Sequence, residues 1–550
     1  MTQKTGAQIL VDCLETFGSS KAFGVPGESY LAVLDAIYDS SIDFVTCRQE
    51  GGAAMAAEAH GKLTGEPGIC MVTRGPGATN ASAGVHVAFQ DSTPMILFIG
   101  QVGRSMVERE AFQEIDYRRM FGQMAKWVAQ IDDAARIPEF ISHAFHTATN
   151  GRPGPVVLAL PEDMLCDVVE NAVIAQSYNR AAPAPAPEEF ADLKARLAKA
   201  ERPLMIVGGG NWSAQTAATV MNFATTNNVA LATSFRCQDY VNNDHPNYAG
   251  HVGIGIDQGL AKNIKDSDLL IIFGSRMGEM TSSGYKMLDI PCPKQTVVHI
   301  HCGAEELGRV YNVDLAINAA PKTLASMLDQ AGQVCEKSSA DWVRQCRQGY
   351  DNFVGAAQIE SRVEMKSVIQ HTREALPDDA IVTNCAGNYA IWLHRFFAYR
   401  DYRTQLAPTS GSMGYGLPAA VAAATAYPEK EVVCFAGDGG FMMICQELAT
   451  AVQHNLNMTV VIVNNGMYGT IRMHQEREYP ARVSGTELNN PDFVAMAKAF
   501  GCHAELVTET NAYPAALERA RDFKGTSVIE IQVDPEALTP MASLTTIRNS

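Results

Sequence analysis

Nine short runs of Val, Ile and Leu punctuate this chain, and they limit its fold more than any other feature. They are Ile69–Thr73, Met95–Ile99, Val156–Leu160, Leu204–Val207, Asp268–Phe273, Val297–Ile300, Val432–Phe435, Thr459–Val463 and Ser527–Gln532. Each is nearly continuous in apolar residues rather than alternating, as parallel strands covered on both faces must be. Longer segments read as amphipathic helices lie between them, such as Gly52–Thr64 and Cys445–Gln453. The expected class is α/β, with doubly wound, mainly parallel sheets flanked by helices. Two linkers cut the pattern. Tyr178–Glu188 contains Ala-Ala-Pro-Ala-Pro-Ala-Pro, a stiff and extended composition, and Gln333–Arg347 is polar. The expected domains are 1–177, 189–335 and 356–535, each near the common domain size.

Charge narrows the partners. The 550 residues carry a formal net charge of −17, so no broad basic surface is available for nucleic acid or an anionic membrane. An anionic ligand must be held by local devices: loop amides, helix N-termini or a bound cation. The 13 cysteines form no C-x-x-C pair and mostly sit in apolar runs, which reads as reduced, buried thiols. Ala7, Ile9, Leu10, Val11, Leu14 and Phe17 recur at helical spacing around Asp12 and Glu15, a pattern of the mature fold rather than a signal peptide. No stretch reaches the roughly 18 to 20 apolar residues of a membrane span. A cytoplasmic protein is expected.

The chemistry concentrates at the end of Val432–Phe435, which runs into Ala436-Gly437-Asp438-Gly439-Gly440. The later run Thr459–Val463 ends in Asn464-Asn465-Gly466, so the motif is G-D-G-x24-N-N. It sets a carboxylate and an amide at the carboxyl ends of two parallel strands, where open α/β sheets bind ligands. Asp438 and Asn465 offer the oxygen ligands that suit magnesium. Gly437, Gly439 and Gly440 allow a diphosphate to approach the backbone. Gly-Asp-Gly alone would be a tight turn; its spacing from Asn-Asn-Gly argues for a site.

The motif resembles that of the thiamine diphosphate enzymes of the pyruvate oxidase and acetohydroxyacid synthase type. The resemblance implies Asp438, Asn465 and the Met467 carbonyl as magnesium ligands, with Tyr468 and Gly469 beside the cofactor. In Phe44-Val45-Thr46-Cys47-Arg48-Gln49-Glu50, it implies that Glu50 bonds the cofactor's aminopyrimidine nitrogen and drives its activation. Thr73-Arg74-Gly75-Pro76-Gly77-Ala78-Thr79-Asn80 is similar to the pyrimidine-side loop and brings in Thr73, Pro76 and Asn80. Asp91-Ser92-Thr93-Pro94 and Phe112-Gln113-Glu114-Ile115-Asp116 look most like acetohydroxyacid synthases, with Gln113 facing the cofactor. Within Ser410-Gly411-Ser412-Met413-Gly414, Met413 would prop the cofactor into its bent form and the Gly411 carbonyl would accept from its amine. Gly387-Asn388-Tyr389 would complete the diphosphate contacts. In this family the two sets of elements come from different subunits, which implies a homodimer at minimum and a homotetramer as the expected assembly.

Three departures bear on the reaction. Glu28 follows Gly24-Val25-Pro26-Gly27, where the synthases carry another glycine; it is either a second active-site acid or a solvated loop carboxylate. His474 stands near the position of the synthases' acceptor-selecting tryptophan, and is either an acid–base group or an exposed helix residue. Val207-Gly208-Gly209-Gly210 and Val298-His299-Ile300-His301-Cys302, with histidines where related chains often have aspartates, leave open both bound FAD and an empty nucleotide fold. The expected reaction decarboxylates a 2-oxo acid and ligates the resulting acyl carbanion to a second carbonyl compound. Nonoxidative decarboxylation releasing an aldehyde is the alternative. Intact Glu50, Asp438 and Asn465 argue against a non-catalytic homologue.

Overall fold

A computed structural model describes residues 3–174, 176–335, 339–356 and 359–550. Its framework is three six-stranded sheets in which every neighbouring pair of strands is parallel. The first runs in the spatial order Asp43–Thr46, Lys21–Gly24, Gly68–Val72, Met95–Gln101, Pro155–Pro161, Trp127–Gln130. The middle one follows Tyr248–His251, Ala230–Thr233, Pro203–Val207, Leu269–Phe273, Thr296–His301, Leu315–Asn318. The last follows Gln405–Leu406, Ile381–Asn384, Val432–Gly437, Met458–Asn464, Thr526–Gln532, His503–Val507. Each apolar run of the sequence is a strand whose ends agree to within two residues, Thr73 and Asp268 falling just outside theirs. A small antiparallel pair, Gln3–Thr5 with Val168–Glu170, closes the first block.

The first and last sheets share one apolar core, joined through helices Glu50–Thr64 and Gly416–Ala426. The sequence pattern at Gly52–Thr64 suggests an amphipathic helix, but the structure buries this segment on nearly every face. Its run of Gly and Ala explains the difference, because small side chains let neighbouring backbones pack closely. A Cβ on Gly84 would lie 2.4 Å from Ala54 Cβ, and one on Gly68 only 1.8 Å from the Ala57 carbonyl oxygen.

The linkers also differ from a plain spacer. Tyr178–Glu188 is irregular until helix Pro187–Lys199 begins, yet the Pro183 carbonyl accepts from Ala320 N–H at 2.8 Å and Thr323 Oγ1 at 2.6 Å, docking the segment on the middle block. Of the second linker, residues 336–338 lie outside the described residues, and from Ala340 it is helix Ala340–Gly355. The thirteen cysteines are thiols rather than disulfides, most of them buried. Among the described residues, no helix is long and apolar enough to cross a membrane.

Candidate active site

The carboxyl ends of strands Ile381–Asn384, Val432–Gly437 and Met458–Asn464 open into one cavity of about 340 Å³. From Ile381–Asn384 the chain steps outward to Gln405–Leu406 and then back across to Val432–Gly437, so the cavity sits where the winding of the sheet reverses. All the diphosphate-side residues expected from the sequence line it: Gly387, Asn388, Tyr389, Gly411, Met413, Gly437, Asp438, Gly439, Gly440, Asn465, Met467, Tyr468 and Gly469.

Asp438 directly follows its strand and begins the short helix Asp438–Met442. It is buried; Oδ1 accepts from Gly439 N–H at 2.9 Å, and Oδ2 from Gly466 N–H at 2.9 Å and Asn490 Nδ2 at 2.8 Å. Burial pushes its pKa up, against these hydrogen bonds. No ion pair with a described Lys, Arg or His compensates it. A buried carboxylate without a cation, next to an amide and backbone oxygens, is the donor chemistry of magnesium rather than of a His/Cys metal. Asn465 Oδ1 accepts from Met467 N–H at 3.2 Å, which folds residues 465–467 into a turn at the cavity wall.

The glycines of the motif make room for aromatic walls. A Cβ on Gly439 would lie 2.5 Å from the Tyr468 ring, and one on Gly437 would lie 3.2 Å from the Tyr389 ring. Tyr389 presents that ring and not its hydroxyl, which donates to the Phe435 carbonyl at 3.0 Å and accepts from Cys385 N–H at 2.9 Å. Asn388 Oδ1 accepts from the Thr470 hydroxyl at 2.9 Å. Asn490, which ties Asp438 to Asn464, belongs to no motif and carried no signal in the sequence.

The other expected residues gather at the strand ends of the first sheet, and none of Glu28, Glu50, Thr73, Pro76, Asn80 and Gln113 lines this cavity. Asn80 Nδ2 donates to Glu50 Oε2 at 2.9 Å, and the Thr73 and Ser29 hydroxyls lie 2.8 Å apart. Pro76 starts helix Pro76–Asp91, where its fixed φ suits the first turn. Glu28 is largely exposed, with its carboxylate 3.7 Å from the Arg74 guanidinium. Gln113 has φ 66° and packs on Gly75, where a Cβ would lie 2.6 Å from its own; its buried Oε1 has no hydrogen-bond partner.

A residue of the last block positions Glu50. Glu447, almost fully buried, accepts from the N–H groups of Arg48 and Gln49, each at 3.1 Å through Oε1. Its charge thus faces the start of the Glu50–Thr64 helix, where the helix dipole favours an anion. The sequence around it, an ordinary helix start, did not mark it.

His474 is exposed on helix Gly469–Glu478 and does not line the cavity, although Gly469, Thr470 and Ile471 of that helix do. A second cavity of about 350 Å³ lies against the middle sheet, with Gln90, Gly209, Ser234, Ser275 and Arg276 in its wall. Gly209 approaches the end of a neighbouring strand so closely that a Cβ would lie 1.9 Å from the Gly274 oxygen. His299 Nε2 pairs with the Ser275 carbonyl at 2.9 Å and His301 Nδ1 with Gly303 at 3.0 Å. These bonds engage both histidines within the middle block.

Comparison with known families and proteins matches this geometry. The N-terminal TPP binding domain of thiamine pyrophosphate enzymes matches residues 4–120, their central domain 190–328 and their C-terminal TPP binding domain 386–531. The chain is 30% identical to the acetolactate synthase isozyme 2 large subunit of Escherichia coli K12, over 96% of this chain and 95% of that protein. It is also 30% identical to the acetolactate synthase large subunit of Corynebacterium glutamicum, over 96% and 86% respectively. With three domain types in the same order and relatives aligned nearly end to end, the chain belongs to the thiamine pyrophosphate (thiamine diphosphate) enzymes, on their acetolactate synthase-like branch.

Proposed function

We propose that this protein is a thiamine diphosphate- and magnesium-dependent carboligase of the acetolactate synthase type, which decarboxylates a 2-oxo acid and joins the remaining acyl unit to a second carbonyl compound. The observation that carries the reading is the buried, cation-free carboxylate of Asp438 in a glycine-walled cavity at the winding reversal of the last sheet. Asp438, Asn465 and the Met467 carbonyl would hold magnesium. Gly437, Gly439, Gly440, Gly387 and Asn388 would hold the diphosphate, and the Tyr389, Tyr468 and Gly469 surfaces would enclose it. When bound, thiamine diphosphate supplies the nucleophilic carbon and the electron sink for loss of carbon dioxide. Glu50, oriented by Asn80 and by Glu447, which holds the two residues before its helix, would exchange a proton with the cofactor's ring nitrogen. Thr73, Pro76 and Gln113 would shape the pyrimidine side, while Gly411 and Met413 fix the bend. The net reaction is redox-neutral and needs no electron acceptor, while FAD stays open as a bound group, to be read from the flavin absorption of the purified protein.

The separation of the two residue sets within one chain supports a homodimer at minimum, in which the Glu50 face of one copy meets the Asp438 cavity of another, with a homotetramer as the expected assembly. The assignment of 1–177, 189–335 and 356–535 to pyrimidine, central and diphosphate roles, and a cytoplasmic location, belong to the same reading. A 2-oxo acid decarboxylase releasing an aldehyde is the second reading, because Glu28 shares its face with Thr73 and Gln113 and is an acid able to supply the final proton. Incubation with thiamine diphosphate, magnesium and pyruvate is expected to give carbon dioxide and acetolactate; acetaldehyde as the sole product selects the decarboxylase.

A further inference from the structure

His394, on helix Tyr389–Phe396, lines the Asp438 cavity and takes no part in the chemistry proposed above. It is only 4% exposed, and Gln238 Nε2 of the middle block donates to its carbonyl at 2.7 Å. Phe235, Arg236 and Ile254 of the middle block line the same cavity. His394 thus stands where the middle and last blocks meet, over a helical turn beyond the diphosphate-side Tyr389.

The neighbours of the ring fix which nitrogen carries the proton. Asn384 Nδ2 donates to the Cys385 carbonyl at 2.8 Å, which turns Asn384 Oδ1 towards the imidazole. Nε2 lies 3.3 Å from that oxygen and therefore carries the proton. Burial, with the Arg236 charge and the His251 ring at 6.2 Å, drives the pKa well down and keeps the imidazole neutral. Nδ1 is left as a lone pair. It bonds to no described residue and the protein does not close it off, so it opens on the cavity. An acceptor left unmet in so buried a place is costly, and the Ile254, Met365 and Ile391 side chains of the lining offer it nothing.

We propose that His394 Nδ1 accepts a hydrogen bond from a hydroxyl group of a substrate, so that the enzyme prefers hydroxylated carbonyl compounds to their deoxy counterparts; this rests on the carboligase function proposed above. Carbonyl oxygens and ionised carboxylates only accept, and an alkyl chain does neither, so none of them satisfies a lone pair. The Arg236 charge near the ring disfavours an ammonium group. A neutral O–H remains, carried either by the 2-oxo acid or by the second carbonyl compound. Discrimination by such a contact is steep, because the deoxy compound leaves the nitrogen unpaired.

Two competitions with the holoenzyme separate the two carriers. In one, pyruvate is the donor and equal glycolaldehyde and acetaldehyde compete, giving the dihydroxy ketone and acetoin, each with one carbon dioxide. In the other, hydroxypyruvate and pyruvate are compared as donors by kcat/KM for carbon dioxide release. The parent should favour the hydroxylated compound on the order of tenfold or more in at least one arm, and that arm identifies the carrier. His394→Gln keeps an N–H for Asn384 Oδ1 but no acceptor at Nδ1, and should reduce the preference to within about twofold. His394→Asn keeps an oxygen near the Nδ1 position and should retain most of it. Calorimetric affinity for thiamine diphosphate should be parent-like in both variants. A parent without preference in either arm overturns the proposal, whether or not the variants fold. Equal loss in both variants would mean a structural role, and weaker cofactor binding in His394→Gln would assign the nitrogen to the cofactor; either overturns it as well. Absence of carbon dioxide release from both pyruvate and hydroxypyruvate by the parent would instead remove the proposed function itself.

Discussion

Tyr415 donates its hydroxyl to the Glu58 carboxylate at 2.6 Å, and neither residue reaches solvent. Glu58 lies two turns into the helix that begins at Glu50, and Tyr415 follows Met413 by two residues. The pair thus links the elements that carry the two halves of the candidate site. Thr93 Oγ1 donates to the other Glu58 oxygen at 2.6 Å. Beside it, Lys62 pairs with Asp91 at 2.7 Å, while Asp91 Oδ1 accepts from Thr409 N–H at 2.9 Å and holds the stretch leading to Gly411.

Burial, with the Asp91 charge nearby, pushes the Glu58 carboxyl up to about 7, against Lys62 and two hydrogen bonds. Its folded pKa is above its unfolded one, so its contribution to stability is complete below about 4.5 and lost as pH rises towards 7. Melting temperatures measured from pH 5 to 8 should fall more steeply for the parent than for Glu58→Gln, and parallel curves would show that Glu58 does not titrate in this range.

Glu50→Gln keeps the size of the side chain and an oxygen for the Asn80 bond, but removes the proton exchange. Turnover is expected to fall about 10²–10⁴-fold, with the circular dichroism and melting transition preserved. Turnover within a few-fold of the parent would exclude Glu50 from proton transfer.

Asp438→Ala removes the carboxylate and leaves Gly466 N–H and Asn490 Nδ2 with Asn464 Oδ1 as acceptor. Calorimetric titration should show magnesium-dependent binding of thiamine diphosphate in the parent and none in the variant. Equal binding with and without magnesium would place the metal elsewhere.

The C-terminal helix Leu544–Arg548 is held over the cavity wall by Arg548, whose Nε and Nη2 donate to Glu476 at 2.8 and 2.9 Å. Leu538, which lines the cavity, packs with Leu544 and Ile547. The Arg548 bond, with others, holds the Glu476 carboxyl down at about 2, so the attachment is complete above about 4.5 and is lost as pH falls towards 2. Arg548→Ala should expose the C-terminus to limited proteolysis and raise KM, and parent-like cleavage would mean that Leu538, Leu544 and Ile547 suffice to hold it.

The sequence by itself determined the strands of the buried sheet interiors and the glycine-lined strand end at Gly437–Gly440, because both follow from neighbouring residues: a continuous apolar run buries on two faces, and a glycine pair lets an aromatic ring or a phosphate come close. Strands Lys21–Gly24, Ala230–Thr233 and Ile381–Asn384 were not legible, being four residues each and without a long apolar run. Equally, the burial of Glu50–Thr64 on all sides could not be read from its period, since it depends on how closely Gly84 and Gly416–Ala426 approach. Only the tertiary structure decided that Asn490 and Gly466 converge on Asp438, that Glu447 holds the chain just before the Glu50 helix from almost 400 positions away, and that the middle sheet delivers Arg236 to the Asp438 cavity. Hydrogen bonds and unpaired charges depend on distance in space, and chain spacing sets that distance only within a turn or a strand.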